Sequence, residues 1–427
     1  MNAVFLIIVV IAFGFGAFYQ IQGTLAPGNI SYMEFLSKGI VESASGAVEL
    51  AIGLVGVMTL FLGLMKVAEA GGMLTILARF IRPLMVRLFP DVPSEHPAMG
   101  AMILNLSANV LGLGNAATPF GIRAMQELDK LNTKPGTATN AMVLFLAINT
   151  SSVTLLPTGV IALRASAGSA DPAGILPTTL FATAGSTLIA ILSAKIYARF
   201  FRLEPSSPVI EKEKAPSDDA VASEASIGAY PLWVSAVGLF SILAFIPLSV
   251  LYGKVISHWI IPFLMAGFLV FGFIRKVRIY EIFVEGAKEG FQVALRIIPY
   301  LVAILVAVGM FRASGAMNAL VGWLGPLTEK VGLPAQALPM ALMRPLSGSG
   351  AYAILASTIQ DPTIGPDSYT GYLVSTLQGC TETTFYILAV YFGAVQIKRI
   401  RHTLAAGLTA DAAGVIFSII ACSWLFR

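Results

Sequence analysis

The chain has 427 residues, of which 56% are hydrophobic and only 12% charged, and its mean hydropathy is +0.81. This composition excludes an ordinary soluble domain and indicates a polytopic membrane protein, with the lipid bilayer as one partner. The formal net charge is only +4, and the basic residues lie in short clusters beside apolar segments. The sequence therefore predicts no nucleic-acid partner.

Apolar segments of spanning length occur throughout the chain. Basic clusters at 199–202, 275–278 and 398–402 mark the cytoplasmic side, because Lys and Arg are enriched in cytoplasmic loops. This pattern predicts a multi-pass protein of the bacterial cytoplasmic (inner) membrane with a cytoplasmic N-terminus, whose first span is retained rather than cleaved as a signal peptide. The nine predicted spans are 4–19, 46–65, 137–163, 176–200, 230–251, 255–274, 291–311, 369–395 and 403–426.

Two stretches interrupted by Gly and Pro lie between these spans, at 97–121 and 339–357. Irregular backbone is tolerated at membrane depth only where it is buried in protein or lines a cavity, so we predict two re-entrant helical hairpins. The segment 23–45 predicts a loop and an interfacial helix. The segment 73–89, with arginines at helical spacing, predicts a second interfacial helix.

The second half of the chain repeats the first at an offset of roughly 240 residues. Residues 204–227, rich in Pro, Ser, Glu and Lys, predict a disordered cytoplasmic linker between the halves 1–203 and 228–427. The second half begins with two spans where the first begins with one, so every later element is flipped. We predict an all-α polytopic membrane protein of two inverted repeats, with about nine spans and two re-entrant hairpins, as in secondary transporters.

Two polar runs interrupt apolar spans at corresponding places, with Ser152 aligned on Glu382. A carboxylate facing lipid is costly, so Glu382 should face protein or a water-filled cavity. We predict a substrate site between these runs and the hairpins, with Glu382 also as the proton- or cation-coupling residue. The predicted substrate-binding residues are Asn105, Ser107, Asn109, Asn115, Thr118, Asn149, Thr150, Ser151, Ser152, Ser347, Ser349, Gln378, Thr381, Glu382 and Thr383.

A structural interpretation competes with each of these assignments. Glu382 would pair with Arg344 and hold two helices in register. The hydroxyl and amide side chains would make ordinary hydrogen bonds between packed spans, or satisfy the backbone that a broken helix exposes. The sequence leaves both interpretations open.

Three motifs resemble known families. The run GLGNAATPFG at 112–121 resembles the signature of spore maturation protein A, which fits residues 1–203. The runs MRPLSGSGA at 343–351 and GCTETTFY at 379–386 resemble spore maturation protein B, which fits about 228–427. The resemblance implies a fusion of the two, with a nucleoside recognition or gate domain similar to parts of concentrative nucleoside transporters and of ferrous-iron transporter B.

We therefore expect an integral membrane transporter or permease for a small solute, nucleoside-like or another polar metabolite, and not an enzyme. One alternative is a non-transporting enzyme or accessory protein that handles cell-envelope or spore-cortex precursors. Another is a divalent metal transporter, since Cys380, Met102 and Met343 lie near the predicted site. No P-loop or CxxC spacing occurs in the sequence, so we expect no cofactor and no resident metal. Homo-oligomerisation remains open.

Overall fold

A computed structural model describes residues 2–112, 114–201 and 261–426, together with 230, 231, 233, 234, 237, 240, 241, 244 and 259. The predicted linker at 204–227 and most of the predicted spans 230–251 and 255–274 lie outside the described residues. Within them the structure is helical apart from a short antiparallel ribbon, β1 (Leu25–Ala26) and β2 (Ile30–Ser31). The helices are α1 (Asn2–Ile21), α2 (Tyr32–Ala70), α3 (Met73–Leu88), α4 (Pro97–Val110), α5 (Gly114–Lys130), α6 (Asn140–Thr150), α7 (Thr158–Ser166), α8 (Leu176–Ala198), α9 (Ile261–Ile274), α10 (Ile279–Ala313), α11 (Ala316–Thr328), α12 (Leu338–Met343), α13 (Gly348–Ile359), α14 (Tyr369–Cys380), α15 (Thr384–Ala394) and α16 (Thr403–Phe426).

Among the described residues, three helices are long and apolar enough to cross a membrane: α2, α8 and α16. A fourth span would be formed by the bent pair Leu301–Ala313 and Ala316–Val331, whose axes meet at 74°. These helices mark the chain as a membrane protein. The count of nine spans remains a prediction.

The long helices α2 and α10 pack against each other in antiparallel directions. Glycines allow their backbones to approach closely: a Cβ on Gly290 would lie 2.7 Å from the carbonyl oxygen of Met58, and one on Gly286 would lie 2.7 Å from that of Leu62. Close contact between small residues is the usual way in which helices associate in membranes. The pair forms a scaffold beside the broken helices described next.

The predicted separate helix within 23–45 is wrong, because residues 32–45 form the first part of α2. Two local features favour this continuous helix. The Ser31 hydroxyl accepts a hydrogen bond from the Glu34 backbone N–H at 3.2 Å and so caps the N-terminus. Glu34 and Lys38 form an i,i+4 ion pair at 2.9 Å. The charges of Glu34 and Lys38 had led to the prediction of a separate interfacial helix, whereas this segment is continuous with the span that follows it.

The predicted spans 137–163 and 369–395 are each broken near the middle. The first divides into α6 and α7 around residues 151–157, and the second into α14 and α15 around 381–383. Pro157 ends the first break, since proline lacks the N–H that would continue a helix and restricts the residue before it. Thr381 has an extended backbone (φ −144°, ψ 165°). Both interruptions coincide with the polar runs in the sequence.

Two helical hairpins, α4–α5 and α12–α13, carry tight turns. Gly112 lies in the turn of the first hairpin with φ +78°, a conformation that favours glycine. In the second, the Ser347 hydroxyl accepts a hydrogen bond from the Gly350 N–H at 3.0 Å and caps α13.

The two hairpins belong to different hydrophobic cores. The base of α4 shares one hydrophobic core with Ala194 and Ala406, whereas the base of α12 shares a second core with Leu176 and Cys422. Helix α3 lies where the second interfacial helix was predicted.

Candidate functional site

Each hairpin turn hydrogen-bonds to a helix break. The backbone N–H of Leu155 donates to the carbonyl oxygen of Val110 at 2.9 Å, and that of Phe385 donates to Pro345 at 3.2 Å. The breaks also contact each other, since the backbone N–H of Glu382 donates to the carbonyl oxygen of Thr150 at 2.8 Å. Backbone groups that a broken helix exposes are therefore satisfied by neighbouring elements.

Arg344, in the turn between α12 and α13, holds the second break. Its guanidinium is buried, with 6% of the residue exposed. One terminal nitrogen donates to the carbonyl oxygen of Thr381, and the other lies 3.3 Å from the hydroxyl of Thr383. A carboxylate oxygen of Glu382 lies 3.6 Å from a terminal guanidinium nitrogen of Arg344. Arg344 thus compensates the carbonyl end of α14 and pairs with Glu382.

Glu382 points into a cavity of about 250 Å³. Half of its side chain is exposed, so it is the accessible member of the ion pair. Asn109 from the first hairpin and Gln378 from α14 also line the cavity, with Tyr352 from α13. The tyrosine hydroxyl donates to the carbonyl oxygen of Gly159 at 2.7 Å. The cavity therefore combines one cation, one anion and two amides, which can bind a polar solute from several sides.

An amide network connects the first hairpin to the first break. The side-chain nitrogen of Asn109 donates to the amide oxygen of Asn149 at 2.9 Å, and Asn149 donates to the carbonyl oxygen of Phe145 at 2.9 Å. Deeper in the hairpin, Asn105 donates to the carbonyl oxygen of Ala117 at 2.8 Å and lies 3.2 Å from the hydroxyl of Tyr391. Asn105 is fully buried and supports the hairpin from behind the cavity.

The predicted binding residues divide into groups by location. Asn109, Gln378 and Glu382 line the cavity, and Thr381 and Thr383 bind Arg344. The buried hydroxyls bond to carbonyl oxygens of their own helices: Ser107 to Ile103, and both Thr150 and Ser151 to Ala147. Ser152 is buried in the first break, and Asn115 and Thr118 lie in α5. Ser347 caps α13, and the hydroxyl of Ser349 is 3.4 Å from that of Ser347.

Asp411 in α16 is a buried carboxylate beside the second break, and the sequence analysis did not select it. Only 5% of it is exposed, and its Oδ2 accepts a hydrogen bond from the Thr384 hydroxyl at 2.7 Å. The signal was present, because an ionisable residue inside an apolar span is a functional candidate by the same rule that selected Glu382.

Arg164, at the end of α7, was also missed. The residue is fully buried and donates to the carbonyl oxygen of Pro366 at 2.7 Å. It forms an ion pair with Asp367 at 3.0 Å, and its guanidinium lies 4.2 Å from the ring centre of Tyr372. Arg164 therefore joins the end of one broken helix to the start of the other.

A similar contact exists where α6 begins and α15 has ended. Arg401 donates to the carbonyl oxygen of Ala138 at 3.0 Å and to the side-chain oxygen of Asn140 at 2.9 Å. Thr137 and Arg399 form a parallel bridge beside it. One arginine thus fastens each end of the pair of broken helices.

A larger cavity of about 720 Å³ lies between the beginning of α2 and the ends of α10 and α13. An ion pair between Arg312 and Asp361, 3.1 Å apart, lines it. Burial acts to raise the pKa of Asp361, but hydrogen bonds from Thr363 and the charge of Arg312 outweigh it, so the pKa is lower than usual. The pair joins α10 to the loop after α13.

Among the described residues, no group of three or more His, Cys, Asp and Glu side chains is placed to bind a metal ion.

Comparison with known proteins places the fold in a family. A family named Gate, with the description 'nucleoside recognition', matches residues 51–167 and 294–398, more than half of the chain. The chain belongs to this nucleoside recognition family. The first matched segment contains α6 and α7, and the second contains α14 and α15. Both helix breaks therefore lie within the residues that match the family.

Two relatives from Bacillus subtilis (strain 168) resemble different parts of such a gate protein. Spore maturation protein B is 47% identical over 175 residues, covering 40% of this chain and 97% of that protein. Spore maturation protein A is 44% identical over 169 residues, covering 40% of this chain and 84% of that protein. The predicted resemblance to both is confirmed, and this member joins their counterparts in one polypeptide.

A solved structure, the YdaH transporter of Alcanivorax borkumensis, described as having an unusual topology, is 16% identical to this chain. The likeness covers 99% of this chain and 97% of that one at a TM-score of 0.37. That score is too low to establish a common fold.

Proposed function

We propose that this gate-family protein is a membrane transporter for a small polar solute, nucleoside-like or another polar metabolite, and that it binds the solute in the 250 Å³ cavity. The main support is the position of Glu382: its carboxylate is paired with a buried arginine and is half open to a cavity where two broken helices meet two hairpins. Broken helices at a midplane site are typical of secondary transporters. The proposal assigns no catalytic residue.

The chemistry of the cavity supports a solute with both donors and acceptors. Arg344 offers donors, Glu382 offers acceptors, and the amides of Asn109 and Gln378 offer both. The volume lies just below the range of about 300–1,000 Å³ common for drug-sized ligands, so the solute is small. The family's description as a nucleoside recognition gate makes nucleosides the first class to test.

The corresponding contacts of the two halves support an inverted repeat. Leu155 and Phe385 follow the two aligned polar runs, and each donates its backbone N–H to a hairpin turn. We place the halves at 1–203 and 228–427, each with one re-entrant hairpin closing one side of the cavity, in the bacterial cytoplasmic membrane with a cytoplasmic N-terminus. Movement of one hairpin at a time would give alternating access.

Glu382 is proposed as the residue that couples solute binding to the charge of the site. A solute donor that binds Glu382 competes with Arg344 for the same carboxylate. Binding therefore changes how strongly Arg344 is held by its other partners, the carbonyl of Thr381 and the hydroxyl of Thr383. Since Arg344 belongs to the hairpin turn, this competition links occupancy to hairpin position.

The test begins with thermal unfolding of the purified full chain in the presence of nucleosides, divalent cations, small carboxylates and cell-wall precursors. The compound that stabilises the protein is then used, radiolabelled, for uptake into proteoliposomes. We expect a nucleoside to stabilise the wild type and Glu382→Gln to weaken its binding at least about tenfold, since a hydrogen bond to a charged group contributes about 1.5–3 kcal/mol.

The control is Glu34→Gln, which removes an exposed carboxylate paired with a lysine far from the cavity in sequence. Equal binding and uptake by the two variants would contradict the proposed site. Stabilisation by divalent cations alone would favour metal transport, and stabilisation by cell-wall precursors without uptake would favour the accessory role.

A further inference from the structure

Asp411 is a carboxylate that the proposed transport site does not use. It lies on α16, opposite the break between α14 and α15, and 5% of it is exposed. Its Oδ2 accepts the hydrogen bond from Thr384 at 2.7 Å. The hydroxyl of Thr381 also faces the carboxylate, but Oδ1 accepts no hydrogen bond of normal length and angle from any described residue.

Close helix packing keeps this carboxylate away from solvent. Gly407 and Gly414 lie one turn before and one turn after Asp411, on the same face of α16. A Cβ on Gly407 would lie 2.8 Å from the methyl carbon of Thr384, and one on Gly414 would lie 2.7 Å from that of Thr381. Larger residues at either position would separate α16 from the break. The sequence thus keeps Asp411 pressed against the two threonines.

The charged and titratable groups that act on Asp411 come from two elements. Arg344, from the hairpin turn, acts from longer range while it pairs with Glu382 at 3.6 Å. Cys380 in α14 is buried beside the break. The other neighbours contribute hydroxyls: Ser186 in α8 donates to the carbonyl oxygen of Ala410 at 2.7 Å. Asp411 therefore has one hydrogen bond and no close cation among the described residues, an arrangement that disfavours a fixed negative charge.

We propose that Asp411 is a proton-binding site behind the solute cavity, and that Arg344 connects it to Glu382. In the closed arrangement the Asp411 carboxyl group holds one proton, and Arg344 pairs with Glu382. When the break opens, the O–H bond of that carboxyl group breaks and its proton passes to water. Arg344 then compensates the new carboxylate and releases Glu382 to the solute. Reprotonation from water on the other side restores the first arrangement.

This inference rests on the proposed transport function for its place in the cycle, but the proton can be measured without transport. The experiment is infrared difference spectroscopy of the purified full chain in liposomes between about pH 5 and pH 8, where buried carboxyl groups titrate. We expect the wild type to show the C=O stretching band of a protonated carboxylic acid, which shifts on exchange into heavy water. Asp411→Asn should lose this band. Glu382→Gln and the exposed control Asp91→Asn should keep it.

Thr384→Val keeps the shape of the residue and removes its hydrogen bond to Oδ2. That bond favours the ionised form, so its loss should move the midpoint of the band to higher pH. This variant keeps the inference testable if Asp411→Asn does not fold. Uptake of the solute identified above should lose its pH dependence in Asp411→Asn while binding remains.

Three results would overturn the proposal. The first is a wild type that lacks the band throughout this pH range, and the second is an Asp411→Asn variant that keeps it. The third is loss of the band when sodium is added at constant pH, which would indicate a sodium site instead. Loss of the band only in Glu382→Gln would show that the proton binds Glu382 in the cavity, and would not contradict the transport function. If the band is present as expected but no candidate solute is transported, the transport function alone would be contradicted.

Discussion

Arg344 and Glu382 form an ion pair, but the structure predicts very different stabilities for the two single variants. In Glu382→Gln the arginine keeps its bonds to the carbonyl of Thr381 and the hydroxyl of Thr383. The lost pair is half exposed on the glutamate side, and such pairs contribute about 0–1 kcal/mol. In Arg344→Met both partners in the break lose a charged donor, at about 1.5–3 kcal/mol each. The methionine variant should therefore be less stable by about 3–5 kcal/mol.

The two cysteines provide the assay. Cys380 and Cys422 are the only cysteines in the sequence, and both are free and buried. A thiol-reactive fluorescent dye labels them only when the surrounding helices separate, so its temperature profile reports unfolding near the break. We expect the midpoint for Glu382→Gln to remain close to the wild type and the midpoint for Arg344→Met to fall several times further.

The opposite order would refute this reasoning. If Glu382→Gln unfolds as early as Arg344→Met, the glutamate is needed to neutralise the buried arginine, and its role is structural. Arg344→Lys serves as the matched control, because it keeps the charge but lacks the planar fork that reaches two partners at once. An intermediate midpoint is expected for lysine.

Three further predictions concern positions away from Glu382. Arg164→Met should lower stability by about 3–5 kcal/mol, because the carbonyl oxygens of Pro366 and Asp171 each lose a charged donor, at about 1.5–3 kcal/mol per bond. The thiol-labelling midpoint measures this loss. Gly112→Ala should lower the thermal stability more than Gly136→Ala. Both glycines have positive φ, +78° and +77°, but a Cβ at position 112 would collide with the carbonyl oxygen of Leu156, whereas position 136 is open. The glycine-136 variant should cost only about 1–2 kcal/mol. Hydrogen bonds from Thr363 and the charge of Arg312 hold the pKa of Asp361 below its usual value despite burial. Its carboxylate therefore stabilises the fold above about pH 4, and this contribution is lost as the pH falls through the lowered pKa. The difference in urea stability between wild type and Asp361→Asn should therefore shrink as the pH is lowered below about 4.

The polar runs at which the helices break could be found in the sequence because they are local, although 137–163 and 369–395 were each predicted as one span. Polar runs inside apolar spans, together with Pro157, require the backbone to leave the helix at those positions. The two hairpins could be predicted for the same reason, because Gly, Pro, Asn and Ser residues separate short apolar segments in the sequence. The continuity of α2 could not be predicted, since charged residues on an exposed helical face look alike in an interfacial helix and in the end of a long span.

The site was only partly predictable, because most of its contacts join distant parts of the chain. Arg344 appeared in the sequence as a conceivable partner of Glu382, but its bonds to the backbone of the break depend on how the hairpin turn docks. Asp411 was hidden by a span that otherwise looks ordinary. The hydroxyls of Ser107 and Ser151 bond to their own helices, and their contact with a solute stays a prediction.

Leu155 and Phe385 each donate a backbone hydrogen bond to a hairpin turn, and in the proposed transport cycle these bonds restrict how a hairpin can move. A turn that withdraws leaves an amide N–H without its acceptor, and such a group must find another partner because an unpaired N–H is costly. Water entering from the membrane surface is the nearest substitute. Opening either side should therefore wet the break on that side while the other remains dry, and the number of ordered waters at each break would report which side of the membrane the site faces.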